Sequence, residues 1–174
     1  VRGVNAWDAI RAFEASGIRA PLSPINSSEP QVIVGQALFR AANCQSCHGG
    51  PQWTSSRLRF TPPPDVSLTP NGEILSELRT VGTFDPSAFN EVQDRLDGPP
   101  FGANGYQPAS LLSLHAFPGP YFHNGAADSL DMVLNNVLHR SAGTGGVDTL
   151  TNPSDRAAIV RFLQSIDART APIP

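Results

Sequence analysis

The sequence predicts a mainly α-helical domain, with three to four core helices and a long loop region rich in proline and glycine. Two observations indicate this fold class. Apolar residues recur at helical spacing after helix-start signals near residues 30, 129 and 152. Residues 49–110 are dense in Pro and Gly, and within them only Glu73 to Arg79 has a helical pattern. At 174 residues the chain is long enough for one domain with a sizeable hydrophobic core.

The chain begins with a short predicted helix and a linker. Residues 4–16 have a helical apolar pattern formed by Val4, Trp7, Ile10 and Phe13. Gly17 follows as a stop signal, and Pro21 and Pro24 then exclude a continuing helix because each removes a backbone donor. We therefore expect residues 1–30 to form an N-terminal helix and linker, and residues 31–174 to form the main domain.

The first core helix is predicted from Pro30 to Ala42. Ser28 can cap it, and Pro30 occupies its first turn, where the missing N–H costs nothing. Val32, Leu38 and Phe39 share one face of this helix with Gly35, which allows close approach of another helix. The helix leads the chain directly into Cys44.

The next residues form the motif around which the chain is organised: Cys44-Gln45-Ser46-Cys47-His48. This pattern is typical of covalent c-type haem attachment, in which two thiols form thioethers with one porphyrin and the adjacent imidazole ligates the iron. A thioredoxin-like redox pair would require a preceding strand, and a zinc site would require further Cys or His ligands in a second pair. The motif therefore predicts one covalent haem c, with His48 as the proximal ligand.

The loop region after the motif is expected to cover the haem. Long loops without secondary structure are uncommon in compact domains unless they are functional, so we expect Trp53 to pack on the haem edge. Arg57 and Arg59 alternate with apolar residues and are candidate partners for the haem propionates, although a solvated surface position is an equally good interpretation of either.

Two further helices complete the predicted core. One begins at Asp128 or Ser129, and its apolar stripe consists of Leu130, Val133, Leu134, Val137 and Leu138. The last helix has Asn152 as cap and Pro153 in its first turn, and its stripe consists of Ile159, Phe162, Leu163 and Ile166. We expect Phe162 to pack near Gly35 and Phe39. Terminal helices that cross at a glycine, with a third helix beside the haem, form a cytochrome c-like arrangement.

Residues 31–167 resemble the C-terminal haem domain of the bacterial dihaem cytochrome c peroxidase and MauG superfamily. The resemblance lies in Gly35-x-x-Leu38-Phe39, Cys44 to Pro51, Pro120-Tyr121-Phe122-His123-Asn124-Gly125 and Ser129-Leu130. It implies that His123 lies near the haem edge without ligating iron. Residues 7–24 resemble the connector that follows an upstream haem domain, so the resemblance implies such a domain in the same polypeptide, or a separate redox protein, as partner. It also allows a calcium ion near Pro118 to Pro120, which we do not expect here.

The sequence departs from this family at the sixth iron position. The family has a methionine or tyrosine ligand seven residues beyond the match of Leu130, and this chain has Val137 there. We expect His139 to be the distal ligand, with Met132 as second choice and an open site as the third alternative. In a regular helix His139 would point away from the apolar stripe, so this expectation requires the helix to unwind near Leu138. We expect His115 to be a hydrogen-bonded core or surface residue.

Composition and charge reduce the number of functions that the chain could have. The net charge of -3 and the pI near 5.7 argue against nucleic acid as a partner, since no basic patch is evident. No apolar run approaches the length of a membrane span, and covalent haem attachment indicates a periplasmic or otherwise exported protein. We therefore expect an electron-transfer cytochrome with His/His ligation. The alternative is a haem peroxidase or MauG-like oxidase with an open distal site.

Overall fold

The computed structural model describes residue 3 and residues 5–17, 20–56, 66–68, 74–87 and 102–174. In this part of the chain the fold is mainly helical, with one small hairpin. The helices are α1 (Ala6–Ser16), α2 (Pro30–Ala41), α3 (Gln45–His48), α4 (Leu130–Asn135), α5 (Val137–Ser141) and α6 (Pro153–Ser165). The strands are β1 (Val66–Leu68) and β2 (Ile74–Glu77), and short 3-10 turns span Leu114–Ala116 and Ala142–Thr144. No helix in the described ranges is both long and apolar enough to cross a membrane.

The hairpin corrects one prediction. Residues 73–79 were expected to be helical, whereas β2 pairs antiparallel with β1, Val66 opposite Glu77. A helix of about two turns has little stability on its own because nucleation is unfavourable. Pairing with a neighbouring strand gives the backbone groups of both segments a partner.

The core is built where α2 crosses α6 at Gly35. A Cβ atom on Gly35 would lie 2.0 Å from the carbonyl oxygen of Ala158, so only glycine permits this approach. Phe162 of α6 packs on Phe39 of α2, with ring centroids 5.4 Å apart at 66°. The expected crossing of the two helices at this glycine is therefore confirmed.

A break at Asn136 separates α4 from α5. Ser129 caps α4 by accepting a hydrogen bond from the Met132 N–H at 3.2 Å, as the sequence predicts. The helix stops at Asn136, which has extended backbone (φ -70, ψ 109) and caps α5 with its own side chain. The unwinding therefore comes two residues before the expected position at Leu138. As a result the stripe does not continue, and Val137 and Leu138 are 48% and 62% exposed.

The linker before α2 packs against the end of α6. The Ser23 N–H donates to the carboxylate of Asp167 at 2.7 Å, and the Ser23 hydroxyl donates to the Gln164 carbonyl. Ser113 adds a hydrogen bond to the Pro21 carbonyl. By contrast, the apolar face of α1 is open to solvent, with Trp7 76% and Phe13 62% exposed.

Candidate functional site

A cavity of about 700 Å³ lies between the helices and the loops that follow the Cys-x-x-Cys-His motif. Its walls are mostly apolar and are formed by Phe39, Leu111, Leu130, Leu134, Ile159 and Leu163. The size and apolar lining are those of a small-molecule or cofactor site. Residues of the chain segments 79–83 and 106–111 also line the cavity, and several of them are polar.

The motif forms one wall of this cavity. Asn43 has a positive φ of 53°, which turns the chain sharply at the end of α2 and starts the short helix α3. This turn brings Cys44, Cys47 and His48 to the cavity wall together, and both cysteines are free and partly buried. Burial, with a smaller effect from Cys47, raises the pKa of the Cys44 thiol to about 12.

A hydrogen bond fixes the orientation of the His48 ring. Its Nδ1 lies 2.9 Å from the carbonyl oxygen of Ala109. A carbonyl can only accept, so Nδ1 carries the proton and Nε2 holds a lone pair that is free to ligate a metal. Burial, with a smaller effect from His139, lowers the pKa of His48 to about 4, against the opposing effect of the Ala109 carbonyl. The ring is therefore the neutral imidazole that metal ligation requires.

His139 faces His48 across the cavity. The ring centroids are 6.2 Å apart, and the two planes make an angle of 68°. The Nδ1 atom of His139 is buried and has no hydrogen-bond partner. Burial lowers the pKa of His139, an effect that the backbone of Val133 offsets in part. Both residues line the same cavity, and the lowered pKa of each favours its neutral form.

The distance between these rings fits two ligands on one metal ion. Imidazole nitrogen bonds a metal such as zinc at about 2.0–2.1 Å, and a five-membered ring with bonds near 1.35 Å has each nitrogen about 1.1 Å from its centroid. Two imidazoles on opposite sides of one ion therefore have centroids about 6.3 Å apart, close to the 6.2 Å found here. The angle between the planes is compatible, because ligation leaves rotation about the metal–nitrogen axis free.

A cofactor could supply the remaining ligands of such an ion. Within the described ranges, no group of three or more His, Cys, Asp or Glu side chains could hold a metal ion. A porphyrin supplies in-plane donors and leaves two axial positions for protein ligands. The large apolar cavity, with a cysteine pair at its wall, suits such a ring. The residues therefore fit an axially ligated haem better than a bare ion.

Arg79, Tyr106, Gln107 and His123 form a polar sector of the cavity lining. Tyr106 stacks on His123 with ring centroids 3.7 Å apart, and its backbone pairs with that of Arg79 at 2.9 and 3.0 Å. His123 was singled out from the sequence, whereas Arg79 and Tyr106 were not. No local pattern links these two residues, since their contact joins segments far apart in the chain.

The other residues that were predicted to contact the haem are not among the described residues that line the cavity. Trp53 is 1% exposed and packs edge-on against Phe39 and Phe162, in the core and outside the cavity lining. Met132 is 44% exposed and lines a separate cavity of about 340 Å³. Arg57 and Arg59 lie outside the described residues.

The prediction for His115 differs from the structure. We expected its ring to be hydrogen-bonded, whereas its Nδ1 atom is buried without a hydrogen-bond partner. The residue lies in the 3-10 turn Leu114–Ala116, whose geometry depends on the left-handed backbone of Ser113.

Comparison with known proteins gives one distant similarity. The chain is 26% identical to cytochrome-c peroxidase IdrP2 of Pseudomonas sp. (strain SCT) over 188 aligned positions. The alignment covers 95% of this chain and 49% of that protein, so the chain spans about half the length of this curated relative. No family model matches the chain. No solved structure matches it either.

Proposed function

We propose that this chain is a c-type cytochrome domain that binds one covalent haem between His48 and His139 and transfers electrons. The observation that carries the proposal is the pair of neutral imidazoles facing each other 6.2 Å apart beside a Cys-x-x-Cys-His motif. The similarity to a cytochrome-c peroxidase supports haem as the cofactor.

In this proposal the two thiols hold the ring and His48 is its proximal ligand. Cys44 and Cys47 form thioethers with the porphyrin, which fixes the ring against α3. The Ala109 carbonyl accepts from Nδ1 of His48 and so directs Nε2 into the cavity. This hydrogen bond also increases the basicity of the ligating nitrogen.

The polar sector of the cavity would receive the haem carboxylates. Arg79 supplies positive charge there, and its planar guanidinium matches a carboxylate in shape. Tyr106, Gln107 and His123 add polar atoms on the same side. Arg57 and Arg59, which lie outside the described residues, stay predictions.

Ligation by two histidines favours electron transfer over catalysis. A bound haem supplies a one-electron carrier, and His/His ligation leaves no open iron position for substrate. Two imidazoles also set a lower reduction potential than a His/Met pair. The electron partner would be a separate redox protein or an upstream haem domain of the same polypeptide. Because haem is attached to c-type cytochromes outside the cytoplasm, we place the protein in the periplasm or another exported location.

The name of the relative favours a second candidate function. A cytochrome-c peroxidase must have an iron site open to peroxide, and this chain matches about half of that protein. The domain would then act on peroxide itself only if His139 left the iron. If His139 stays bound, the domain supplies electrons to a reactive site elsewhere in a peroxidase-like protein.

Absorption spectra of the holoprotein distinguish these functions. We expect wild type to be low-spin in the ferric state without a methionine-to-iron band, and His139→Ala to become high-spin and bind cyanide at once. Met132→Ala is the control and should keep the wild-type spectrum, because Met132 lies outside the cavity. A high-spin wild-type spectrum, or one that His139→Ala leaves unchanged, would refute His/His ligation.

A further inference from the structure

We infer that Arg140 and Asp148 form a clamp that positions His139 for ligation, an inference that rests on the proposed function. The clamp is the ion pair between these two side chains, together with the backbone carbonyls that Arg140 also binds. Its importance follows from the helix break at Asn136. Without that break His139 would not face the cavity.

Helical geometry explains the need for the break. In a continuous helix each residue turns by about 100°, so His139 would lie roughly 180° around the axis from Leu130. Leu130 is buried in the core and lines the cavity, so His139 would then point away from both. The break allows α5 to turn and brings His139 to the cavity opposite His48.

The break exposes carbonyl groups that Arg140 then binds. A helix end leaves its last carbonyls without partners inside the helix. One Arg140 nitrogen, Nη1, donates to the carbonyls of Leu134 and Asn135, both at 3.2 Å. These are the last two residues of α4. Arg140 therefore stabilises the kinked arrangement, in which these two carbonyls have no partner from a continuing helix.

Asp148 fixes the other side of the same guanidinium. Arg140 donates from Nε to Asp148 Oδ1 at 2.9 Å and from Nη2 to Oδ2 at 2.6 Å. Only 10% of the Arg140 side chain and 20% of the Asp148 side chain are exposed. Bidentate, charge-assisted pairs of this kind are the stronger hydrogen bonds in proteins, and burial reduces their screening. Asp148 also accepts from the Leu150 N–H at 3.1 Å, which anchors it to the following loop.

The clamp acts beside the His139 ring, which also contacts Phe122 edge-on at a centroid distance of 5.6 Å. Its Nδ1 atom has no hydrogen-bond partner, in contrast to the His48 ring. The helix that carries it, α5, has only five residues and is too short to be stable alone. Its orientation therefore depends on its attachments at both ends. Arg140 is the neighbouring residue and joins α5 to α4 and to the Asp148 loop.

The test uses the holoprotein with Arg140→Lys and Asp148→Asn. Lysine keeps the positive charge of Arg140 but cannot form the bidentate hydrogen bonds of a guanidinium group. Asparagine keeps the shape of Asp148 but loses its negative charge. We expect both variants to show more high-spin iron and to bind cyanide about tenfold faster, because each loses charge-assisted hydrogen bonds that hold His139 on the iron. If Arg140 acted by touching the haem, only Arg140→Lys would have this effect, and that result would overturn the clamp.

A second bidentate ion pair provides the matched control. Arg161 of α6 binds Glu29 through Nε and Nη2 at 2.9 and 2.7 Å, away from the cavity lining. Arg161→Lys and Glu29→Gln should lower thermal stability while leaving the spin state and the cyanide rate at wild-type values. If the spin state changed only because the protein was less stable, the variants of both ion pairs would change it. If Arg140 and Asp148 position His139, only the variants of that pair change the spin state and the cyanide rate.

The two proposals fail in different ways. A high-spin wild type that binds cyanide at once would reject His/His ligation, and the clamp with it. A low-spin wild type that becomes high-spin in His139→Ala would support the ligation. If Arg140→Lys and Asp148→Asn then matched wild type in cyanide rate, the clamp alone would be rejected.

Discussion

Replacing Gly35 with alanine tests the helix crossing that forms the floor of the cavity. A Cβ at this position would lie 2.0 Å from the Ala158 carbonyl oxygen and 2.8 Å from Cβ of Phe162. Real Cβ contacts essentially never fall below 3.0 Å, and the closest neighbour here is backbone that cannot rotate away. The two helices must therefore move apart by at least about 1 Å at their closest point.

The energetic cost follows from two opposing effects. In an exposed helix interior, Gly→Ala would stabilise the protein by about 0.5–1 kcal/mol. Overpacking of a core costs about 1–3 kcal/mol, and a clash against backbone belongs at the upper end. We expect a net loss of about 2 kcal/mol in the free energy of unfolding, which corresponds to a thermal midpoint about 4–8 °C lower for a protein of this size.

Thermal and urea unfolding of the holoprotein would measure this loss. Val34→Ala is the matched control, since Val34 lies next to Gly35 on the same helix and is 51% exposed. That change should alter stability by no more than about 0.5 kcal/mol. If Gly35→Ala unfolded at the wild-type temperature or above it, α2 and α6 would not be in contact at Gly35 and the fold described above would be wrong there.

Two further predictions concern acid stability and haem attachment. The ion pair with Arg169 and a hydrogen bond from Ser23 lower the pKa of Asp167 from 3.8 to about 2. A depressed carboxyl pKa contributes stability above about pH 4, and this stability is lost as the pH falls toward 2. Asp167→Asn should therefore destabilise the protein by about 1–2 kcal/mol at pH 7, allowing for the exposed Arg169, and have little effect at pH 2. An equal loss of stability at both pH values, measured by urea unfolding, would contradict this prediction. Cys44→Ala with Cys47→Ala should leave no covalent haem on a denaturing gel and a largely unfolded chain, whereas a native far-UV circular dichroism spectrum would show that the fold does not depend on haem.

The sequence predicts best the features that depend on nearby residues. The caps of α4 and α6 are hydrogen bonds over two or three positions, Ser129 to Met132 and Asn152 to Ser154. Gly35 was also predictable, because a glycine among large apolar residues of a helix indicates close packing. Each of these features is indicated by residues within or next to one helix.

The features that the sequence did not predict depend on distant contacts or on turn geometry. The segment around Ile74 forms a strand because β1 pairs with it, and Arg79 reaches the cavity through backbone pairing with Tyr106. Trp53 has a positive φ of 54°, following Gly50 at 77°. These turns fold the chain back after the motif and direct the indole into the core. A local pattern identifies Trp53 as buried, but it does not indicate which side of α2 it reaches.

The two proposed iron ligands are held by different means, which explains why one was easier to predict than the other. His48 follows directly from the motif, and its ring has a hydrogen-bond partner in Ala109. His139 depends on where a helix breaks, and that position is set by Asn136 and by contacts of Arg140 that come together only in the fold. Because the Nδ1 atom of its ring has no hydrogen-bond partner, we expect His139 to be the ligand that an incoming small molecule displaces in the proposed haem complex. The rate of cyanide binding would therefore report on the His139 side of the proposed haem, where we expect the clamp to act.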